Sequence, residues 1–298
     1  MPSSTDRPAI RFTEPGIMTS AGRFAHLIDR LPGDVAKLAS VGHGLLIHEH
    51  LASAYGVTLS PEDRESLHVR PAERLLELIT TRDDRPLDVP RESAARLAGN
   101  CRHFTVLAVT MLRAHGIAAR ARCGFAAYFI DGFFEDHWVC EYRPAGQERW
   151  AVLDPQLDER QREMFPIDFD VADVPRDRFL TAGDAWRRCR DGAADPGRFG
   201  LSMVRESGWW WIAGNLMRDA AALSGVEVLP WDSWGAMPGP DAPIDDDLRA
   251  LFDRLADLTR DPDADLPELL RLCADDERLR LPAAVRNDLR GRDEPLVS

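Results

Sequence analysis

Residues 99–125 read GNCRHFTVLAVTMLRAHGIAARARCGF, and one thiol in that stretch sets how everything around it is read. Phe104, Leu107, Ala108, Met111 and Leu112 recur at helical spacing. That places Cys101 in the first turn of a helix that opens after Gly99-Asn100 and stops at Gly116. The first turn of a helix carries unpaired backbone N–H groups and a partial positive charge. Both favour thiolate over thiol, and the thiolate is the nucleophile. Elsewhere in a fold a free cysteine is most often a small buried hydrophobe, so the surrounding sequence has to decide between chemistry and packing.

Downstream the texture changes. IAARARCGFAAYF, residues 117–129, alternates imperfectly and predicts a strand. DHWVCEY (136–142) and RWAVLDP (149–155) are short, aromatic and β-branched runs separated by RPAGQE, which predicts a hairpin. If it closes symmetrically about Ala145 and Gly146, Tyr142 faces Arg149 and His137 faces Asp154. Directly opposed side chains sit about 4.5–5.5 Å apart at Cβ, within reach of an imidazole–carboxylate contact. A one-residue slip would turn one partner to the other face.

Upstream, residues 1–20 read as a polar, partly disordered leader. Phe24 to Tyr55 is helical in pattern, interrupted at Pro32-Gly33. A further helix is predicted over Ala72–Thr81, followed by the loop RDDRPLDVPRES. Past Asp154, Pro166 and Pro175 break any long element. Helices return over Thr181–Arg190, Gly208–Leu223, Ile244–Thr259 and Pro267–Asp276, around the Pro-, Gly- and Trp-rich loop LPWDSWGAMPGPDAP. Helices, a central helix and then strands make an α+β chain rather than a doubly wound sheet. The expected division is a leader at 1–20, one domain at 21–235 with its core at 95–160, and a helical C-terminal extension at 236–298.

The chain has 298 residues, 44% hydrophobic and 29% charged, with 50 acidic against 37 basic residues and a net charge of −13. That balance disfavours nucleic acid and anionic lipid as partners, since both need a basic footprint. No apolar run is long enough for a membrane span, and MPSSTDRPAIRFTEPG lacks the apolar core of a signal peptide. A cytoplasmic protein is expected. Its five cysteines, Cys101, Cys123, Cys140, Cys189 and Cys273, are widely spaced with no C-x-x-C pair. Neither a disulfide framework nor a zinc site is signalled.

Taken together, Gly99-Asn-Cys101 opening a helix, LRAHGIAARARCGF, DHWVCEY and RWAVLDPQLD resemble the core of the transglutaminase-like superfamily. Its pattern is a helix-start cysteine, Arg-x-x-Gly-Ile-x-x-Arg, a histidine with tryptophan on a strand, and Trp-x-x-x-Asp-Pro. The closing stretch is also similar to the peptide:N-glycanase branch. The resemblance spans Gly99 to Leu157. It implies a papain-like α+β core, a nucleophile helix packed on an antiparallel sheet, with helical N- and C-terminal extensions. It also implies acyl chemistry with Cys101 as nucleophile, His137 as base and acid, and Asp154 as orienter. One departure stands out: an acidic residue often occurs two places after the nucleophile, and here it is His103. Two residues turn a helix by about 200°, so His103 does not share the face of Cys101.

The implied function is cysteine-dependent amide-bond chemistry, by a hydrolase or acyltransferase, through a thioester on Cys101. The substrate would be a peptide or a small amide or ester, and no metal or organic cofactor is required. Asn100 is a candidate oxyanion donor beside the Cys101 backbone N–H, and Trp209 a candidate substrate contact. The alternative is a catalytically silent binding or scaffold module of the same fold. The sequence leaves oligomeric state and acyl acceptor open.

Several features read more plainly as packing. In GHGLLIHEH, His43, His48, Glu49 and His50 would need to converge with further ligands to hold a metal, and on a helix His48 and His50 point apart. A solvated helix face is the expectation. Cys123 and Cys140 read as core, Trp209, Trp210 and Trp211 as buried rings around a helix, and Asp158 as a weaker orienter than Asp154 because it lies past Pro155.

Overall fold

The computed structural model describes residues 12–240 and 242–297; of the expected leader at 1–20, residues 1–11 lie outside them. The chain divides into two compact units, one made of residues 1–121 and 139–174, the other of 122–138 and 175–298. Helices and sheets are mixed in both, as an α+β reading requires.

In the first unit, helix α1 (Val35–Leu45) starts where the Asp34 side chain accepts from the Lys37 N–H at 3.0 Å, and it buries Leu38, Val41 and Leu45. The helical expectation through Tyr55 fails at this point. Leu46–His48 is strand β1, which pairs in parallel with β2 (Leu97–Gly99), Leu46 facing Leu97 and His48 facing Gly99. Leu46 and Ile47 are buried in that pair, so tertiary pairing overrides the local helical period. Helix α2 (Ala72–Arg82) follows the expected span and buries Leu75, Leu76 and Ile79.

Helix α3 (Cys101–Ala114) is the centre of this unit. Every residue from Cys101 to Arg113 is buried, so α3 is enclosed on all sides and its polar side chains need internal partners. Arg113 supplies an example: its Nε donates to the Phe12 and Ala119 carbonyls at 3.1 and 2.9 Å, and Nη1 to Thr19 Oγ1 at 2.7 Å. Those bonds, with buried Phe12 and Met18, pack residues 12–19 against the helix. Gly116 at φ 72° ends it, a left-handed conformation open to glycine at no steric cost.

Strands β3 (Ala119–Ala126) and β4 (Phe134–Tyr142) each run from one unit into the other. In the first unit β4 pairs antiparallel with β5 (Ala151–Leu153), Tyr142 facing Ala151 and Cys140 facing Leu153. This corrects the symmetric hairpin. The connection takes in Arg143 to Trp150, with a turn from the Pro144 carbonyl to the Gln147 N–H at 3.1 Å, so the register moves by two residues. Neither expected cross-strand pair, Tyr142 with Arg149 or His137 with Asp154, is formed, because the ladder ends at Cys140 and Leu153. Arg149 falls in the connection, and Asp154 stands one step past the last pair. Helix α4 (Glu159–Met164) follows, capped by Asp158.

In the second unit the strand order is β6 (Phe179–Thr181), β3, β4, β7 (Phe199–Leu201), β8 (Glu206–Ser207). Gly124 is required there: facing Thr181 across the β3–β6 ladder, a Cβ would lie 2.1 Å from the Leu180 carbonyl oxygen. Helices α5 (Ala182–Arg190), α6 (Trp209–Leu223), α7 (Asp246–Arg260) and α8 (Pro262–Asp275) match the expected helical runs within a few residues. A second sheet, β9 (Asp232–Ser233), β10 (Ala284–Asn287) and β11 (Arg292–Pro295), was not expected, and residues 236–298 belong to the same unit as 175–235. Among the described residues no helix is long and apolar enough to cross a membrane.

An ion pair with almost no solvent contact holds α6 to β3. Arg122 Nε and Nη2 donate to the two Asp219 oxygens at 3.0 and 2.8 Å, and Nη2 also reaches the Thr259 carbonyl at 2.8 Å. The Cys123 N–H adds a bond to Asp219 Oδ1 at 2.9 Å. Removing one partner strands the other charge away from water, a loss of about 3–5 kcal/mol. Asp219→Ala should therefore lower unfolding free energy by that amount in urea titrations. A change under about 1 kcal/mol, the range of a surface pair, would show that Arg122 finds another partner.

Candidate functional site

Cys101 is placed by the chain on both sides of it. Strand β2 is buried throughout, and the Ser66 hydroxyl donates to the Ala98 carbonyl at 2.7 Å, fixing the approach to Asn100. Asn100 then caps α3: its backbone is extended, and its Oδ1 accepts from the Arg102 N–H at 3.1 Å. His103 Nδ1 lies 3.2 Å from Asn100 N and 2.8 Å from Asn100 Oδ1, closing a capping box. Cys101 is 8% exposed, on the first residue of a helix of 14.

His103 explains the departure from the family pattern. It is fully buried, and burial, aided by the neighbouring Arg102 guanidinium, holds its imidazole well below the ordinary range. A neutral ring does the work of the glutamate or glutamine usual at this place in a capping box. The helix start is preserved without a charge in the core. The Asn100 side-chain nitrogen Nδ2 is buried with no hydrogen-bond partner.

Asp154 is fully buried at the end of β5. Its backbone N–H donates to the Val171 carbonyl at 2.8 Å, and its Oδ1 accepts from the Gln156 N–H at 3.0 Å. The corner is then braced by a chain of side chains. Gln156 Nε2 donates to Gln161 Oε1 at 3.0 Å, Gln161 Nε2 to the Tyr55 hydroxyl at 3.1 Å, and that hydroxyl to Asp158 Oδ2 at 2.7 Å. Asp158 is thus a cap and an anchor, its other oxygen accepting from the Gln161 N–H at 2.9 Å.

Sequence reasoning missed that brace, and it missed His43. Read as part of a solvated face, His43 instead lies on α1 near the Asp154-Pro155 corner. Burial pushes its imidazole down, against the opposing pull of Asp158, the Pro155 carbonyl and Asp154, and its Nε2 is buried without a partner. The available signal was its setting between Gly42 and Gly44 in an apolar run. Glu49 likewise is not solvated, and burial raises its carboxyl to about 7.

His137 belongs to the second unit, as does Trp209, whereas Asn100, Cys101 and Asp154 belong to the first. His137 is 2% exposed on β4. Its ring meets Phe129 and Tyr128 edge-on, with centroids 5.0 and 6.1 Å away. Its neighbour Asp136 accepts from Trp211 Nε1 at 2.6 Å, and burial pushes the Asp136 carboxyl up. Trp209 packs edge-on against Trp186 at 4.9 Å, so Trp211 is the member of the tryptophan run that reaches β4. The remaining thiols sit in quiet settings: burial raises Cys140 strongly, Cys189 to about 12 and Cys273 to about 11. Among the described residues no group of three or more His, Cys, Asp or Glu side chains is arranged to hold a metal ion.

Comparison with known proteins bears on one part of the chain. No curated protein sequence matches it. A solved structure named "Putative Cysteine Protease from Cytophaga hutchinsonii" is similar at 16% identity over 58% of this chain and 45% of that one, with a TM-score of 0.33. A likeness that slight carries no argument. The family model is more telling, because it covers β2, α3, β3, β4 and β5, with Asn100, Cys101, His137 and Asp154 all inside its span. Residues 72–155 match the Transglutaminase-like superfamily.

Proposed function

We propose that the chain is an enzyme of cysteine-dependent amide or ester chemistry, a hydrolase or acyl transferase working through a thioester on Cys101. The observation that carries this reading is the placement of Cys101 as first residue of a capped helix, within a segment that matches the transglutaminase-like family. In this scheme His137 takes the Cys101 proton as the sulfur attacks the substrate carbonyl carbon. The resulting oxyanion accepts hydrogen bonds from the Cys101 backbone N–H and from Asn100 Nδ2, whose lack of a partner supports that role. Collapse breaks the bond to the leaving amine or alcohol, which receives the proton from the imidazolium. Water or an amine then gives a proton to His137 and attacks the thioester, and the thiol is regenerated. Asp154 holds the imidazole orientation and stabilises its cation. Its fixed backbone and braced corner support that role, since an orienting carboxylate must not rotate.

Iodoacetamide labelling near pH 6, read cysteine by cysteine by mass spectrometry, tests the nucleophile. Cys101 should label first, because burial disfavours the thiolates of Cys140, Cys189 and Cys273. Even labelling of all five would favour a silent scaffold. Cys101→Ala should abolish turnover on a panel of amide and ester substrates while leaving the melting temperature nearly unchanged, since alanine suits a first helical turn.

Asp154→Asn separates geometry from charge. The amide can still accept from the Gln156 N–H, but it cannot stabilise an imidazolium with a full negative charge. Turnover should fall about a hundredfold or more, and the pH at which Cys101 becomes alkylatable should move upward. Superimposable alkylation curves with intact turnover would remove Asp154 from the mechanism.

A further inference from the structure

The second unit contains a cavity that the scheme above does not use. It measures about 240 Å³ and is framed by helices α6, α7 and α8 with the chain next to β9 and β10, all within residues 175–298. Its floor is the end of α6, where residues 217–225 read MRDAAALSG. Met217, Ala220, Ala221 and Ser224 share one helical face there and line the cavity. Asp219 lies on the opposite face, where it pairs with Arg122. Methyl side chains at 220 and 221 leave room that larger ones would fill.

The walls have a definite chemistry. Leu255 of α7, Leu270 of α8, Leu279 and the Trp234 ring supply apolar surface. The polar side chains of the lining are already engaged within the protein. Ser224 Oγ donates to the Ala220 carbonyl at 2.8 Å and pairs with the Cys273 thiol. Trp234 Nε1 donates to the Leu279 carbonyl at 3.1 Å. Arg280 Nε and Nη2 donate to the Ala274 and Asp275 carbonyls at 2.8 and 3.2 Å. Burial raises Cys273 to about 11, so its thiol adds no charge at neutral pH.

A hydroxyl or a charge taken from water into such a place needs a partner, and its cost stands if it finds none. An apolar ring needs no partner and gains close contacts on every side. An apolar cavity of about 150 Å³ admits benzene, so this one has room for a ring with a short alkyl chain. Ala274 and Arg280 are exposed and mark the side open to solvent.

We propose that this cavity is a binding site for a small neutral aromatic hydrocarbon of the alkylbenzene class. The inference stands apart from the reading of Cys101 and needs no contact between the units. A ligand held by the folded state alone also raises the stability of the chain by mass action.

Cys273 reports on the site because it lines the cavity. The folded chain is alkylated with N-ethylmaleimide at mildly alkaline pH and each cysteine is followed by mass spectrometry, with and without ethylbenzene, benzyl alcohol or benzoate. Ethylbenzene should slow labelling of Cys273, leave Cys101 and Cys189 unchanged, and raise the melting temperature as its concentration rises. Benzyl alcohol, of the same size, should bind about tenfold or more weakly because its hydroxyl finds no partner. Benzoate should give no protection. Ala221→Leu fills the cavity from α6 and should abolish protection by ethylbenzene. Leu270→Ala widens it from α8, and should retain protection and shift the preference toward butylbenzene.

Unslowed labelling of Cys273 with an unchanged melting temperature in the wild type would overturn the proposal whether or not the variants fold. Equal binding of ethylbenzene and benzyl alcohol would overturn the ligand class. Undiminished protection in a folded Ala221→Leu, or protection of Cys101 in place of Cys273, would put the ligand elsewhere and remove the site.

Discussion

The N–H groups that open helix α3 have no water to turn to, and the way the chain satisfies them constrains the first unit. A helix buried from its first residue must supply its own cap, and here the supply is local: Asn100 accepts from below while His103 reaches back. That arrangement holds only if Asn100 is extended and Gly99 is fixed, which is what the parallel pairing of β1 with β2 and the Ser66 bond to Ala98 secure. Cys101 inherits its position from these contacts. The candidate nucleophile is thus set on a backbone fixed before and after it.

The two acidic corners of the protein are held by different physics. Asp219 is an ion-pair partner, matched by both forks of Arg122 and a backbone N–H. Asp154 is positioned by main-chain bonds and by neutral amide and hydroxyl groups, through Gln156, Gln161 and Tyr55. A salt bridge pins a carboxylate by neutralising it. A chain of hydrogen bonds through neutral amides and a hydroxyl, ending on Asp158, pins the corner itself.

Much of this was legible in the sequence where the signal is local. The helical period and Gly116 gave the extent of α3, and the aromatic and β-branched runs gave β4 and β5. Register was not legible, because the Arg143–Trp150 connection is set by a turn at Pro144 and Gln147 rather than by symmetry about Ala145 and Gly146. Strand β1 was hidden in a helical pattern because its partner lies some fifty residues away in sequence at β2, and a window of local periodicity cannot see it. The candidate site divides in the same way. Cys101, His137 and Asp154 stand out by residue type and motif. The Tyr55–Gln161–Gln156 brace and His43 are ordinary residue types, and only the fold reveals what they touch.

The interleaving of the two units bears on how the protein comes off the ribosome. The chain leaves the first unit after residue 121, returns at 139 and departs again at 175, so neither unit is a contiguous stretch. The first cannot close until residue 174 has been made, and by then residues 122–138 already exist as strand segments whose partners β6, β7 and β8 do not. During that interval the emerging β3 and β4 expose unpaired edges, a hazard for association with other chains. Pairings this distant in sequence also delay folding. The continuity of β3 and β4 through both units therefore makes the nascent chain dependent on late synthesis, and on whatever shields an unfinished sheet until its remaining strands arrive.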